Sequence, residues 1–175
     1  NVHKKKAATN LTTITTVNGK KLSSTPQHWH FAGYRLDSSP QQHFVYLMQK
    51  AGVGWRIGTT SVYTKGQKKP TLGFIQRLNQ EHGDALWILD TFPTMSDARV
   101  AEYKLSLQHQ IPTIPFVARK GLSENGYVHD QATLEEIFAV FDTEKSATGL
   151  LTKYHLSQKY PHHRPQVSKS QRQNI

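Results

Sequence analysis

The sequence predicts an α+β fold: a small three-stranded antiparallel sheet with flanking helices, preceded by a β-rich segment and followed by a small helical segment. In the middle of the chain, three apolar runs of strand length alternate with amphipathic runs of helix length. Near its start, the turn pair Asn18-Gly19 lies between two short β-forming runs. We therefore expect three segments, at residues 1–40, 41–119 and 120–175.

The first segment contains a Thr-rich, β-forming run from Leu11 to Val17. The Asn18-Gly19 pair that follows is typical of a tight turn, since both residues tolerate a positive φ. This pattern predicts a hairpin of two short strands.

The central segment begins with two apolar runs at 44–48 and 54–60, and Ala51-Gly52 is suited to a turn between them. A third apolar run covers 85–92. Each run has the length of a strand, so this part of the chain predicts a three-stranded sheet.

Two helices are expected among these strands. The first covers 71–82, with apolar residues on one face and Gly83 as its stop signal. The second begins with Ser96 as its N-cap and ends before Pro112, because the residue before a proline disfavours helical geometry. The order is strand, strand, helix, strand, helix.

The third segment predicts an acidic amphipathic helix that Thr133 caps, with Glu136 three residues later completing a capping box. A short helix at 148–156 follows, and the polar tail from Lys169 lacks periodicity. The residues expected to be buried by the acidic helix are Leu134, Ile137, Phe138 and Phe141.

Composition excludes several classes of site. The 175 residues contain no cysteine, which excludes disulfides, thiolate zinc sites and a cysteine nucleophile, so a metal would be held by His, Asp or Glu. No run approaches the ~20 consecutive apolar residues of a membrane span. The start of the chain lacks the apolar run of a secretory signal. We expect no membrane partner and a cytoplasmic protein.

The charge balance favours a polyanionic partner. The chain has 22 Lys and Arg against 12 Asp and Glu, a formal net charge of +10. Such a field favours phosphate backbones through counterion release. No G-x-x-x-x-G-K-[ST] pattern occurs, so helicase activity does not reside in these residues. The basic residues expected to contact double-stranded DNA are Lys65, Lys68, Lys69, Arg119 and Arg164.

The central segment carries short motifs on successive elements. Phe44-Val45-Tyr46-Leu47 lies on the first strand and Trp55-Arg56-Ile57-Gly58 on the second, Arg77 lies on the following helix, and Glu102 on the helix after the third strand. In their order and spacing, these motifs resemble the GIY-YIG nuclease superfamily, and the resemblance covers about 75 residues. The resemblance implies a GIY-YIG-like fold and metal-dependent phosphodiester hydrolysis.

The resemblance also implies roles for these residues. Tyr46 would accept or relay the proton of the attacking water, Arg77 would neutralise the phosphate, and Glu102 would hold Mg²⁺ or Mn²⁺. A single carboxylate is a weak site, so the ion would bind mainly with substrate. We expect the three side chains to meet in one basic concavity.

The sequence departs from the family at two positions. The second motif has Arg56 in place of tyrosine, or Trp55 if the register slips by one residue, and Pro112-Thr113 stands where an asparagine is expected. An arginine stabilises negative charge but hardly accepts a proton. Two alternatives follow: Arg56 joins the catalytic set, or the domain is a catalytically degenerate DNA-binding module.

The candidate residues also have structural explanations. Arg77 and Glu81 are four apart and form a possible solvated helix pair, and Glu102 has Arg99 as a candidate partner. Tyr46 and Trp55 alternate within strands as core aromatics do.

A second signature lies in the first segment, where Thr25-Pro26-Gln27-His28 follows the hairpin. It resembles the T-x-x-H block of intein (Hint) splicing domains. The resemblance implies that His28 assists cleavage of the upstream peptide bond, and that Thr25 hydrogen-bonds nearby. An imidazole suits that task because its pKa lies near neutrality.

The end of the third segment contains Gly149-Leu150-Leu151 and Tyr160-Pro161-His162-His163-Arg164-Pro165. With Ala85–Asp90, it resembles long inteins that interrupt UvrD/Rep-type DNA helicases. This implies flanking intein and helicase segments in one precursor. Asn1 and the terminal Gln173-Asn174-Ile175 are not splice-junction residues, so we expect an internal fragment that does not splice unaided, with the central domain as a possible passenger.

Overall fold

The computed structural model describes residues 10–16, 18–25, 28, 40–64, 72–121 and 126–165. The chain divides into two compact units, Asn1–Phe31 and Ala32–Ile175. The helices expected as a separate segment after residue 120 lie in the second unit together with the sheet.

The first unit contains the predicted hairpin. Strands β1, Thr12–Thr15, and β2, Lys21–Ser24, pair antiparallel. The Thr16 amide donates to the Lys20 carbonyl at 2.8 Å, and Gly19 has a φ of +80°. Glycine adopts this conformation without steric cost, which explains the turn at Asn18-Gly19.

The second unit is built on the expected three-stranded antiparallel sheet, so the α+β class is confirmed at this level. Strand β3 covers His43–Lys50, β4 covers Gly54–Ser61 and β5 covers Ala85–Phe92. The order is β4-β3-β5, with a register shift of the β3–β5 pair between Val45 and Tyr46. Strands β4 and β5 are therefore the two outer strands.

Four α-helices accompany the sheet in the part of the chain that the structure describes. They are α1, Gly73–Glu81; α2, Met95–His109; α3, Gln131–Val140; and α4, Thr143–Lys153. A single 3-10 turn covers Tyr127–His129. None of these described helices is long and apolar enough to cross a membrane.

Two predicted helix caps were wrong. The N-cap of α2 is Thr94 instead of Ser96, because the Thr94 hydroxyl accepts from the Asp97 amide at 3.1 Å. The N-cap of α3 is Asp130 instead of Thr133, and the Asp130 carboxylate accepts from the Ala132 amide. Both observed caps are also good N-cap residues, so cap type alone does not choose between them.

The helix after α3 also begins earlier than expected. Helix α4 begins at Thr143, five residues before the predicted start at 148, and Asp142 caps it by accepting from the Lys145 amide at 3.1 Å. Four residues were expected to be buried in this region. Leu134 and Phe138 are buried, whereas Ile137 is half-buried. Phe141 is 39% exposed, because it lies just beyond the end of α3.

Each face of the sheet has its own core. Phe44, Tyr46 and Met48 of β3 pack with Phe74 and Leu78 of α1. On the opposite face, the alternate strand residues pack with α2 and α4. This second core includes Val45, Leu47, Trp55, Ile57, Ala98, Leu105, Leu150 and Leu151. This alternation follows from the two-residue period of a strand.

The C-terminal residues complete the same unit. His163 exchanges two backbone hydrogen bonds with Leu86 of β5, at 2.9 and 3.0 Å, and the Ile88 amide donates to Nδ1 of His162 at 2.8 Å. On the other outer strand, the Trp55 amide donates to the Thr143 hydroxyl at the start of α4. Residues that follow α2 in the chain therefore form hydrogen bonds with both outer strands of the sheet.

Candidate active site

Tyr46 and Gly58 face each other across strands β3 and β4. Tyr46 is only 1% exposed. A Cβ added to Gly58 would come within 2.5 Å of Cζ of the Tyr46 ring. The glycine of the second motif is thus needed because the phenol occupies the space above it.

Arg56 occupies the second-motif position on the same face of the sheet as Tyr46, since it is two residues from Gly58. Its Nη1 donates to the Tyr46 hydroxyl at 3.2 Å, and its Nη2 donates to the Thr113 carbonyl at 2.6 Å. Trp55 lies in the other core, with its ring centroid 5.0 Å from that of Trp87. The geometry therefore assigns the motif position to Arg56.

Glu81 balances the charge of Arg56. Their side chains approach to 3.2 Å between Nη1 and Oε1, and both are almost fully buried. The second carboxylate oxygen of Glu81 accepts from the Phe116 amide at 2.8 Å. The sequence alternative that paired Glu81 with Arg77 was wrong, because the carboxylate is directed to a buried cation instead of a solvated one.

Four charged groups act on the Tyr46 hydroxyl. Burial raises the pKa of this phenol above its usual value; the charges of Arg56 and Arg77 act to lower it, while those of Glu81 and Glu102 raise it. A phenol with a raised pKa stays protonated at neutral pH. Tyr46 is therefore a neutral hydroxyl, which donates or accepts a hydrogen bond, and not a phenolate.

Glu102 lies half-buried on α2, and the Thr59 hydroxyl donates to its Oε2 at 3.4 Å. Burial raises the pKa of this carboxyl, and the charge of Arg56, the bond from Thr59 and the charges of Arg99 and Arg77 oppose that rise. The charge of Arg99 acts on Glu102, but within the described residues the two side chains do not form the ion pair considered from sequence.

Tyr46 and Glu102 approach the outer strand β4 from its two faces. Tyr46 belongs to the core beneath α1, whereas Thr59 has the same strand parity as Ile57, which packs beneath α2. Gly58 carries no side chain between them. The arrangement differs from the single concavity expected from sequence, although the charges of Arg56 and Arg77 reach both groups.

Glu102 is the expected metal ligand. Within the described residues, no group of three or more His, Cys, Asp or Glu side chains could hold a metal ion. An ion at Glu102 would therefore depend on water and on substrate phosphate for its other ligands.

Arg77, half-buried on α1, lines a cleft of about 600 Å³. The opposite wall is formed by residues 117–120. The cleft therefore contains two residues that the sequence proposed, Arg77 and Arg119, and two basic residues that it missed, His82 and Lys120. The missed residues carried no motif that would have marked them.

The other expected DNA contacts do not lie in this cleft. Lys65, Lys68 and Lys69 lie outside the described residues. Arg164 is exposed and follows His163, which pairs with β5, the outer strand on the opposite edge of the sheet from β4.

The segment that replaces the expected asparagine has a structural role. The Pro112 carbonyl accepts from the Ile57 amide at 3.0 Å, and the Thr113 carbonyl accepts from Arg56. These backbone groups cover the open edge of β4 and hold the arginine.

In the first unit, the His28 amide donates to the Thr25 carbonyl at 3.0 Å, so the two residues proposed for splicing are in contact through their backbones. Adjacent His162 and His163 do not converge, since His162 bonds Ile88 and the His163 ring stacks on Phe74 at 3.9 Å.

Comparisons of the chain with protein-family models, with curated proteins and with solved structures find no match. The case for a function therefore rests on the residues and their geometry.

Proposed function

We propose that the second unit is a GIY-YIG-like endonuclease domain that hydrolyses phosphodiesters of double-stranded DNA with Mg²⁺ or Mn²⁺. One observation carries the proposal: the Arg56 guanidinium donates to the buried Tyr46 hydroxyl at 3.2 Å, and the charges of Arg77, Glu81 and Glu102 act on the same phenol. A buried hydroxyl with several charged groups around it is a candidate for a functional site.

Each side chain has a role that its surroundings support. Glu102 binds the cation that stabilises the phosphate oxygens and activates water. Arg77, which is not locked in the buried ion pair, neutralises the negative charge of the transition state. Tyr46 relays a proton, with Arg56 holding its hydroxyl in place.

A second candidate is a catalytically degenerate DNA-binding module. The specific observation in its favour is that Tyr46 and Arg56 are buried, with 1% and 4% of their surface exposed. In addition, Arg56 already pairs with Glu81 and donates to the Thr113 carbonyl. An arginine with these partners stabilises the fold, so that of Arg56 and Arg77 it is Arg77 that remains to contact phosphate.

The proposed context is an intein that interrupts a UvrD/Rep-type helicase, with the flanking segments in the same precursor and His28 assisting junction cleavage. It rests on the motif resemblances of Thr25 to His28 and of the region around Tyr160 to Pro165. The length of the native reading frame tests it: a helicase-sized frame is expected, and a frame too short for a helicase would contradict it.

The nuclease proposal is tested by incubating the protein with supercoiled plasmid and Mg²⁺. We expect nicking that a chelator stops and that Glu102→Ala abolishes. The matched control is Glu136→Ala, which removes an exposed carboxylate of α3 and should leave nicking unchanged. Nicking that persists in Glu102→Ala contradicts the metal site, whereas DNA binding without any nicking supports the second candidate.

A further inference from the structure

The wall of the cleft that carries Arg119 and Lys120 is held by a dense set of hydrogen bonds. The Gln131 side chain accepts from the Ala118 amide at 3.0 Å and donates to the Phe116 carbonyl at 3.2 Å. The Arg119 amide donates to the Val128 carbonyl at 2.9 Å. These bonds fix the backbone of an irregular segment, so its two basic side chains project from a defined position.

The His129 side chain also contacts the backbone of this wall. Its Nδ1 lies 2.6 Å from the Arg119 carbonyl oxygen. A Cβ at Gly121 would come within 2.6 Å of the His129 ring, and a Cβ at Gly126 within 2.7 Å. The two glycines let the chain approach the ring closely, which holds the segment against it.

The side chains that line the cleft are mainly basic. Arg77, Arg119 and Lys120 line it together with His82, and the acidic residue of the lining is Glu81. The Glu81 carboxylate is already balanced by Arg56 and accepts from the Phe116 amide. The remaining field is positive, which suits a chain of phosphates.

Arg77 connects this cleft to the proposed catalytic residues. It lines the cleft, and its charge also acts on Tyr46 and Glu102. A DNA strand carries one negative charge about every 3.4 Å along the helix axis. Phosphates next to the one that contacts Arg77 therefore come within reach of a nearby basic wall.

We propose that this cleft is a binding site for the DNA backbone, in which Arg119, Lys120 and His82 contact phosphates adjacent to the scissile one. The proposal rests on the proposed function and adds the path of the strand at that site. Contacts of this kind position DNA without reading its sequence, so the site contributes affinity and register, not target choice.

The test is the affinity of the full chain for a labelled 30-base-pair duplex, measured with a chelator present at several salt concentrations. Arg119→Gln with Lys120→Gln should weaken binding by about tenfold and reduce the slope of log affinity against log salt by about two. The matched control, Lys153→Gln with Lys159→Gln, removes the same charge from exposed residues elsewhere and should bind within about twofold of the unchanged protein.

The two proposals fail in different ways. If the cleft variant binds DNA as its control does, with an equal salt slope, the cleft assignment is overturned even if Glu102→Ala still abolishes nicking. If the cleft variant loses affinity as expected but the unchanged protein never nicks, the cleft stands and hydrolysis fails. Tighter binding of an RNA duplex than of the DNA duplex, or no binding of either, overturns the assignment to DNA. Thermal unfolding of both variants establishes that each is folded.

Discussion

Arg56 is a buried cation in a largely buried strand, and the Glu81 carboxylate compensates its charge. The pair links β4 to α1, and its two members also hold Tyr46, Thr113 and Phe116. Removing one member of a buried pair leaves an uncompensated charge in the interior, which costs more than the pair itself contributes.

Glu81→Gln should therefore lower the free energy of unfolding by about 3 kcal/mol. The measurement is urea unfolding at neutral pH, with Glu136→Gln on the exposed face of α3 as the matched control, expected within about 0.5 kcal/mol of the unchanged protein. A loss below about 1 kcal/mol would mean that Arg56 is solvated instead of sealed by its partners.

His162 makes the stability of the second unit depend on pH. Burial lowers the pKa of this imidazole below its usual 6.5, and its Nδ1 accepts from the Ile88 amide, which requires the neutral ring. Its contribution is therefore fully present above pH 6.5 and is lost as the pH falls through the lowered value, because the unfolded chain binds the proton first.

His162→Asn keeps an acceptor near the same amide but removes the titration. We expect the unchanged protein to be the more stable of the two at pH 7.5 and to lose that advantage progressively toward pH 5. The comparison uses urea unfolding of both proteins across this range. A stability difference that is constant with pH would contradict the role of the neutral ring.

At the residue level, the sequence could not predict partners that are remote in the chain. The motif selected Tyr46, Arg56, Arg77 and Glu102, and the structure brings two of these side chains into direct contact, since Arg56 donates to the Tyr46 hydroxyl. It did not select Glu81 as the partner of Arg56, because the pair forms between two elements 25 positions apart that no local spacing relates.

At the scale of the element, the β3–β4 pair depends on one missing side chain. Gly58 lies opposite Tyr46 at a position where any Cβ meets the phenol ring. The strand pairing and the placement of the phenol are thus coupled through a single glycine, independently of any unusual backbone angle.

Gly58→Ala should destabilise the protein by about 1–3 kcal/mol, the usual cost of overpacking a close-packed site. Gly149→Ala is the matched control, because the added Cβ meets nothing within 4 Å and the residue lies within α4. Alanine has the higher helix propensity, so the control should be stabilised by about 0.5–1 kcal/mol. Equal changes in both variants would show that Tyr46 does not occupy the space above Gly58.

The elements themselves were largely predictable, and their ends were less so. The period of the apolar residues gave all three strands of the sheet and the helices α1 to α3, and the turn pair Asn18-Gly19 gave the hairpin. The starts of α2, α3 and α4 were misjudged because each region offers several residues able to cap a helix.

At the scale of the whole molecule, the net charge of +10 predicted a polyanionic partner but could not locate it. The basic cleft combines α1 with residues 117–120, about 40 positions later in the chain. The hydrogen bond from the Phe116 amide to the Glu81 carboxylate and the bonds of the Gln131 side chain to the same segment bring these charges together.

The contacts of the C-terminal residues with the outer strands could not be predicted from the sequence either. His163 pairs with β5 and Thr143 with β4, so both outer strands are bound by residues that follow α2 in the chain. Covering the outer strands in this way satisfies backbone groups that would otherwise invite pairing with another chain.

If Arg77 and Glu102 serve one transition state, their effects on single-turnover plasmid nicking with Mg²⁺ should be coupled, and a double-mutant cycle measures this coupling. Arg77→Gln and Glu102→Gln should each slow nicking by about a hundredfold. Because residues that act as a unit are not additive, the double variant should be less than about tenfold slower than the slower single variant. Full multiplication of the two effects, or unchanged nicking by Glu102→Gln, would contradict a shared catalytic centre.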